Sequence, residues 1–110
     1  MDMRSYVDEF LNFLNFEKGF SVHTLSSYEH DLMLYAAYLK KIGCKDLDEL
    51  KKYDLEQYIR DLREQGYKAS SIERNISAVK GFHRFCLSEN LVNTIPSLKL
   101  KLPQKRRATA

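Results

Sequence analysis

Residues 69–89 read ASSIERNISAVKGFHRFCLSE, and their apolar members recur at helical spacing. At about 100° per residue, Ile72, Ile76, Val79, Phe82, Cys86 and Leu87 gather on one side of a helix, as a core-facing stripe does. Ser70, Arg74, Ser77, Gly81 and Arg84 gather on the other, flanked by Ser71, Lys80 and Phe85. A solvated helix face normally mixes both charge signs. This one carries two Arg, a Lys, hydroxyls and a glycine, with Glu73 at its margin. Gly81 in mid-helix costs ~1 kcal/mol relative to Ala. Close approach of a phosphate backbone would explain it. The alternative is an ordinary exposed face that lacks acids.

Working outward, three more helices and a tail surround this stretch. Tyr6, Val7, Phe10, Leu11, Phe13, Leu14 and Phe16 predict a first helix over about Ser5 to Lys18, with Gly19 suited to the left-handed position after it. Ser21 is a good N-cap for a second helix running to about Lys41 and stopped at Gly43. Its apolar side holds Leu25, Tyr28, Leu32, Tyr35, Ala36 and Leu39, and its other side His23, Ser26, Ser27, His30, Met33, Ala37 and Lys41. Tyr53 to Gln65 reads as a third helix with Leu55, Tyr58, Ile59 and Leu62 inward, ended by Gly66. Asp46 to Lys51 reads as a short turn or helical piece, and Asn90 as the C-cap of the fourth helix. Strand-like alternation is scarce, so the fold class is all-α: a compact bundle of about four helices.

The bundle is expected to occupy residues 1–95. Beyond Asn90 the helical pattern fails. Pro96 and Pro103 bracket an alternating Leu/Lys run, and Lys105, Arg106 and Arg107 follow, so residues 96–110 read as a basic linker at a domain boundary.

The 110 residues suit one domain, and 44% hydrophobic content suffices for a modest core. No apolar run approaches the ~18 residues that would span a bilayer, and the opening MDMRSYVDEF is not a secretory signal. A cytoplasmic protein without membrane contact is the expectation. Cys44 and Cys86 are far apart and form no cluster with the three histidines. They read as reduced structural thiols, with no metal and no cofactor implied. The net charge of +3 hides an asymmetry. Residues 1–66 hold 9 Lys+Arg against 13 Asp+Glu, whereas residues 67–110 hold 9 against 2. A basic half points to a polyanionic partner, of which nucleic acid is the commonest.

In order and spacing, the chain resembles the N-terminal core-binding domain of Xer-type tyrosine recombinases and phage integrases. The resemblance rests on Phe10-Leu11-Asn12-Phe13-Leu14 followed by Glu17-Lys18-Gly19, and on Ser21-x-x-Thr24-Leu25-x-x-Tyr28-x-x-Asp31-Leu32. It continues through Asp54-Leu55-x-x-Tyr58, Gly66-Tyr67-Lys68-Ala69-Ser70-Ser71-Ile72, Arg74-x-x-Ser77-Ala78-Val79-Lys80-x-Phe82-x-x-Phe85, and Leu102-Pro103 in the linker. Two positions depart from the family pattern: Pro96 follows Ile95 where Asn-Pro is common, and Lys51 stands where Thr often caps the third helix.

The resemblance implies a SAM-like helical bundle that forms half of a clamp around duplex DNA. It also implies a separate catalytic domain beyond the linker and contacts with other recombinase subunits in a synaptic complex. No activated hydroxyl or oxyanion-stabilising constellation is visible here, so this chain alone is not expected to be an enzyme. Carried over position by position, the DNA-contacting candidates are Thr24, Ser27 and His30 on the second helix, and Lys68, Ser70, Ser71, Arg74, Ser77, Lys80 and Arg84 on the fourth. Lys105 and Arg106 join them from the linker.

Arg74 is the candidate for a base edge or a bidentate phosphate clamp, and Lys80 and Arg84 for phosphates. The cations of the fourth helix carry the fewest competing roles, and replacing Arg74 and Arg84 is expected to leave the fold intact. Thr24 has the alternative of capping its helix, and His30 could serve either role. Tyr28 and His83 read as core residues. Phe13 and Phe16 lie away from Phe10 and Leu14, either packing into the domain or facing a neighbouring subunit. The rival functional class is a helical protein-interaction module that self-associates or binds an acidic partner.

Overall fold

Ser21 adopts extended backbone, and its hydroxyl accepts a hydrogen bond from the Thr24 amide at 3.2 Å. That satisfies one of the open amides of the helix that begins at Val22. The computed structural model describes residues 3–92 and contains four α-helices. They are α1 (Met3–Lys18), α2 (Val22–Lys41), α3 (Lys52–Glu64) and α4 (Ala69–Ser88), with a 3₁₀ turn at Leu47–Glu49 between α2 and α3. The all-helical bundle is therefore observed, with no strand among the described residues. The linker expected from residue 96 onward, with Lys105 and Arg106, lies outside them.

Capping accounts for the earlier start of α3. The Lys51 amide donates to Asp54 Oδ2 at 3.0 Å, which starts α3 at Lys52, one residue before the predicted Tyr53. This is half of a capping box made without a side-chain acceptor at the cap, so Lys51 can stand where Thr is usual. Gly66, at φ +94°, ends α3 while the Tyr67 amide closes on the Leu62 carbonyl at 3.1 Å. Asn90 does the same for α4 at φ +61°, with the Leu91 amide on the Cys86 carbonyl at 2.8 Å. Asn tolerates the left-handed region better than other residues bearing a Cβ.

The core is built around α4, whose Ile72, Ile76, Ala78, Val79, Phe82, Phe85 and Cys86 are all buried. Phe10 of α1 meets Phe82 and Phe85 at ring-centroid distances of 5.8 and 5.4 Å, and Tyr28 of α2 at 6.1 Å. Tyr58 of α3 packs on Tyr35 at 5.3 Å. Leu87, expected inward, is partly exposed because it falls at the margin of the buried arc. Phe85, expected beside the polar face, is buried because α1 covers it through Phe10 and Phe13. Phe13 is half-covered, whereas Phe16 near the end of α1 is 78% exposed and Val22 at the start of α2 is 76% exposed.

Candidate nucleic-acid interface

Most of the residues singled out for contact that the structure describes are exposed. Thr24, Ser27 and His30 on α2 are exposed, as are Lys68, Ser70, Arg74, Ser77 and Arg84 on or before α4, with Ser71 and Lys80 half-buried. Thr24, Ser27 and Asp31 follow the i, i+3, i+7 spacing that aligns side chains along one helix face. Ser70, Arg74, Ser77 and Arg84 lie along one face of α4 in the same way. Lys80 stands at the opposite margin of the α4 exposed arc from Arg74, and His30 is offset from the Thr24–Ser27 line. The two helices run in the same general sense: Asp31 meets Arg74, and Tyr35, one turn on, meets His83.

Arg74 and Asp31 join the two faces. Arg74 Nε donates to Asp31 Oδ2 at 3.0 Å and Nη2 to Oδ1 at 3.1 Å. The carboxylate is 3% exposed and the guanidinium side chain 56%. These hydrogen bonds, and then the Asp31 charge, raise the pKa of Arg74 above its ordinary value. The expectation that the cations of this helix carry the fewest competing roles is therefore corrected for Arg74, which also neutralises a buried acid. A buried carboxylate without a partner is strongly destabilising, so Arg74 cannot be removed as freely as Arg84.

Behind this pair lies a polar chain that the helix patterns did not reveal. Asn75 Nδ2 donates to the Asp31 backbone carbonyl at 3.2 Å, and the Tyr58 hydroxyl donates to Asn75 Oδ1 at 2.8 Å. All three residues are buried, which ties α2, α3 and α4 together through satisfied polar groups. Burial raises the pKa of the Tyr58 hydroxyl. The available signal was the position of Asn75, which at 100° per residue falls among Ile72, Ile76, Val79 and Phe82, where a polar residue needs a partner. Asp31 sits at the margin of the α2 apolar arc, and spacing alone does not mark it as buried.

Ser21 is the cap of α2, and the Thr24 hydroxyl lies 3.0 Å from the Ser21 hydroxyl, so Thr24 supports the cap without being it. His83 is buried, as expected, with Nε2 2.9 Å from the Tyr35 hydroxyl, and burial lowers its pKa to about 4. Tyr28 is half-buried against Phe10 and Phe20.

Gly81 lies on the side of α4 that meets α1. A Cβ built there would meet Phe10 Cζ at 3.5 Å, so the position faces α1. That distance is an ordinary van der Waals contact, so packing against α1 leaves room for a methyl at this position.

Electrostatically the face is basic. Neither α2 nor α4 has an acid in its first turn, and α4 has no side-chain cap on its opening amides. Free amides and the positive end of the helix dipole favour anions there. On α2, Glu29 is engaged by Arg4 at 2.9 Å, and Asp31 by Arg74. Among the described residues no His, Cys, Asp and Glu side chains gather as a metal site, and no helix is long and apolar enough to cross a membrane.

Comparison with known proteins bears on the family and the fold. Residues 7–90 match the family model described as phage integrase, N-terminal SAM-like domain. Tyrosine recombinase XerD of Chlorobaculum tepidum is 40% identical over 104 residues, covering 94% of this chain and 34% of that protein. The XerD of Oceanobacillus iheyensis is 34% identical over 102 residues, covering 92% of this chain and 34% of that protein. The chain thus spans about a third of the length of these relatives. The crystal structure of the N-terminal domain of a phage integrase/site-specific recombinase from Haloarcula marismortui superposes with a TM-score of 0.83. It covers 94% of this chain and 97% of that one at 14% identity, a likeness of fold.

Proposed function

The chain belongs to the phage integrase N-terminal SAM-like family, and from that membership we propose that it grips duplex DNA as one half of a clamp. The α2 and α4 faces meet the duplex, with Thr24, Ser27, Ser70, Ser71 and Ser77 offering hydroxyls, and Lys68, Lys80 and Arg84 offering charge to phosphates. Arg74 presents a forked donor suited to a phosphate or a guanine edge. His30 lies at the rim. Lys105 and Arg106, on the proposed linker of residues 96–110, add phosphate contacts. Strand cleavage and joining fall to a catalytic domain in a longer recombinase, acting in the cytoplasm on a recombination site.

The single observation that carries this reading is the acid-poor, cation-bearing exposed face of α4 joined edge to edge with the exposed hydroxyls of α2. The test is titration of a labelled duplex with this chain at two salt concentrations. Binding that weakens steeply as salt rises is expected, since each neutralised phosphate releases counterion. Absence of binding at low salt overturns the reading and favours the rival, a helical module that binds an acidic protein.

A second reading concerns another surface. Phe16 and Val22 stand 78% and 76% exposed near the α1–α2 connection, where an apolar pair in water suits contact with a neighbouring recombinase subunit. Replacement of Phe16 by Ser is expected to leave duplex affinity of the single domain unchanged while weakening assembly on DNA carrying two adjacent sites. Unchanged assembly removes this reading.

A further inference from the structure

We infer that Asp31, a buried acid on a surface built for a polyanion, is a positioning residue that aims the Arg74 guanidinium at DNA. The inference rests on the DNA-binding reading above. A guanidinium carries five N–H donors in a rigid fork. Asp31 takes one from Nε and one from Nη2 in a side-on pair at 3.0 and 3.1 Å. The edge that remains, one hydrogen on each of Nη1 and Nη2, has the spacing of a second bidentate site. The Arg74 side chain is 56% exposed, which leaves room for that edge to receive two oxygens of one phosphate or the O6/N7 pair of a guanine.

Asp31 can set this direction because it is itself fixed. Its side chain is 3% exposed, and its backbone carbonyl is held by Asn75, which Tyr58 holds in turn. The guanidinium therefore gives up its rotational freedom on folding and loses little more when the ligand arrives. An arginine on the same helix that makes no ion pair among the described residues, such as Arg84, must be ordered at that moment.

Simple electrostatics and positioning predict opposite signs, which makes the inference testable. Removing a negative charge from a DNA-facing surface strengthens binding if only charge matters. If Asp31 aims Arg74, removing that charge weakens binding. The experiment measures duplex affinity against salt for the wild-type chain and for Asp31→Asn, Arg74→Lys and Arg84→Ala, each kept well below its own unfolding midpoint.

Asp31→Asn is expected to lose about tenfold in affinity and to lower the salt slope by about one. Arg74→Lys keeps the charge and a partner for Asp31 but loses the fork, and is expected to weaken binding similarly. Should Asp31→Asn fail to fold, Arg74→Lys decides. Wild-type or tighter binding by Asp31→Asn, or wild-type binding by Arg74→Lys, overturns the positioning role. Weakened binding by Arg84→Ala in the same series shows that the DNA reading stands without it. A wild-type chain that binds no DNA at low salt overturns both.

Discussion

Arg74 and Asp31 pair through two hydrogen bonds of 3.0 and 3.1 Å across the α2–α4 contact, with the acid buried and the base open to water. This one relationship makes Arg74 both part of the fold and part of the exposed face. A truncation there has two effects that must be measured separately. Arg74→Ala leaves the Asp31 carboxylate buried without its partner. We expect a loss of roughly 2–4 kcal/mol, towards the lower end because water reaches Arg74. Arg84 makes no ion pair among the described residues, so Arg84→Ala should stay within about 0.5 kcal/mol. Urea unfolding of the two variants checks this, and equal midpoints would contradict it.

Burial of His83 links stability to pH. Its pKa falls to about 4 in the folded chain, against an ordinary value of 6.5. Between these values the unfolded state binds the extra proton, so stability is fully present above pH 6.5 and is lost as pH falls towards 4. The loss should reach on the order of 3 kcal/mol at its limit. Unfolding free energies from pH 7.5 down to 4.5 should show this decline, and His83→Gln should flatten it between pH 6.5 and 5. An unchanged slope in that variant would place the titrating group elsewhere.

Gly81 gives a prediction with the opposite sign for stability. An added methyl meets Phe10 Cζ at 3.5 Å, an ordinary contact, in the middle of a helix. Gly81→Ala should therefore gain up to about 1 kcal/mol from helix propensity and leave duplex affinity unchanged. A stabilised variant with sharply weaker DNA binding would restore the close approach to phosphate that the sequence suggested.

Much of this molecule is legible in its sequence because helix periodicity and capping are local. Ser21, Gly66 and Asn90 mark helix ends through the chemistry of their own backbone and side chains, and Ile72, Ile76, Val79 and Phe82 mark the buried side of α4 by spacing alone. What escapes is pairing between helices. Nothing within α4 says that Arg74 meets Asp31, 43 residues earlier, or that Asn75 bridges to Tyr58. The surroundings of Gly81 escape for the same reason: its neighbour Phe10 lies on another helix. The exposed positions on α2 and α4 could be found as places on a wheel, and only the fold puts Thr24, Ser27, Ser70 and Ser77 on either side of one ion pair.

Duplex DNA lying on the joined faces of α2 and α4 should be visible by amide chemical-shift mapping during a duplex titration. Shifts are expected to concentrate at residues 21–31 and 68–84, led by the amides around Ser27, Ser70 and Ser77, and to reverse with added salt. Shifts confined to the exposed side of α3 around Tyr53, Gln57 and Arg60, with those two segments unmoved, would contradict it.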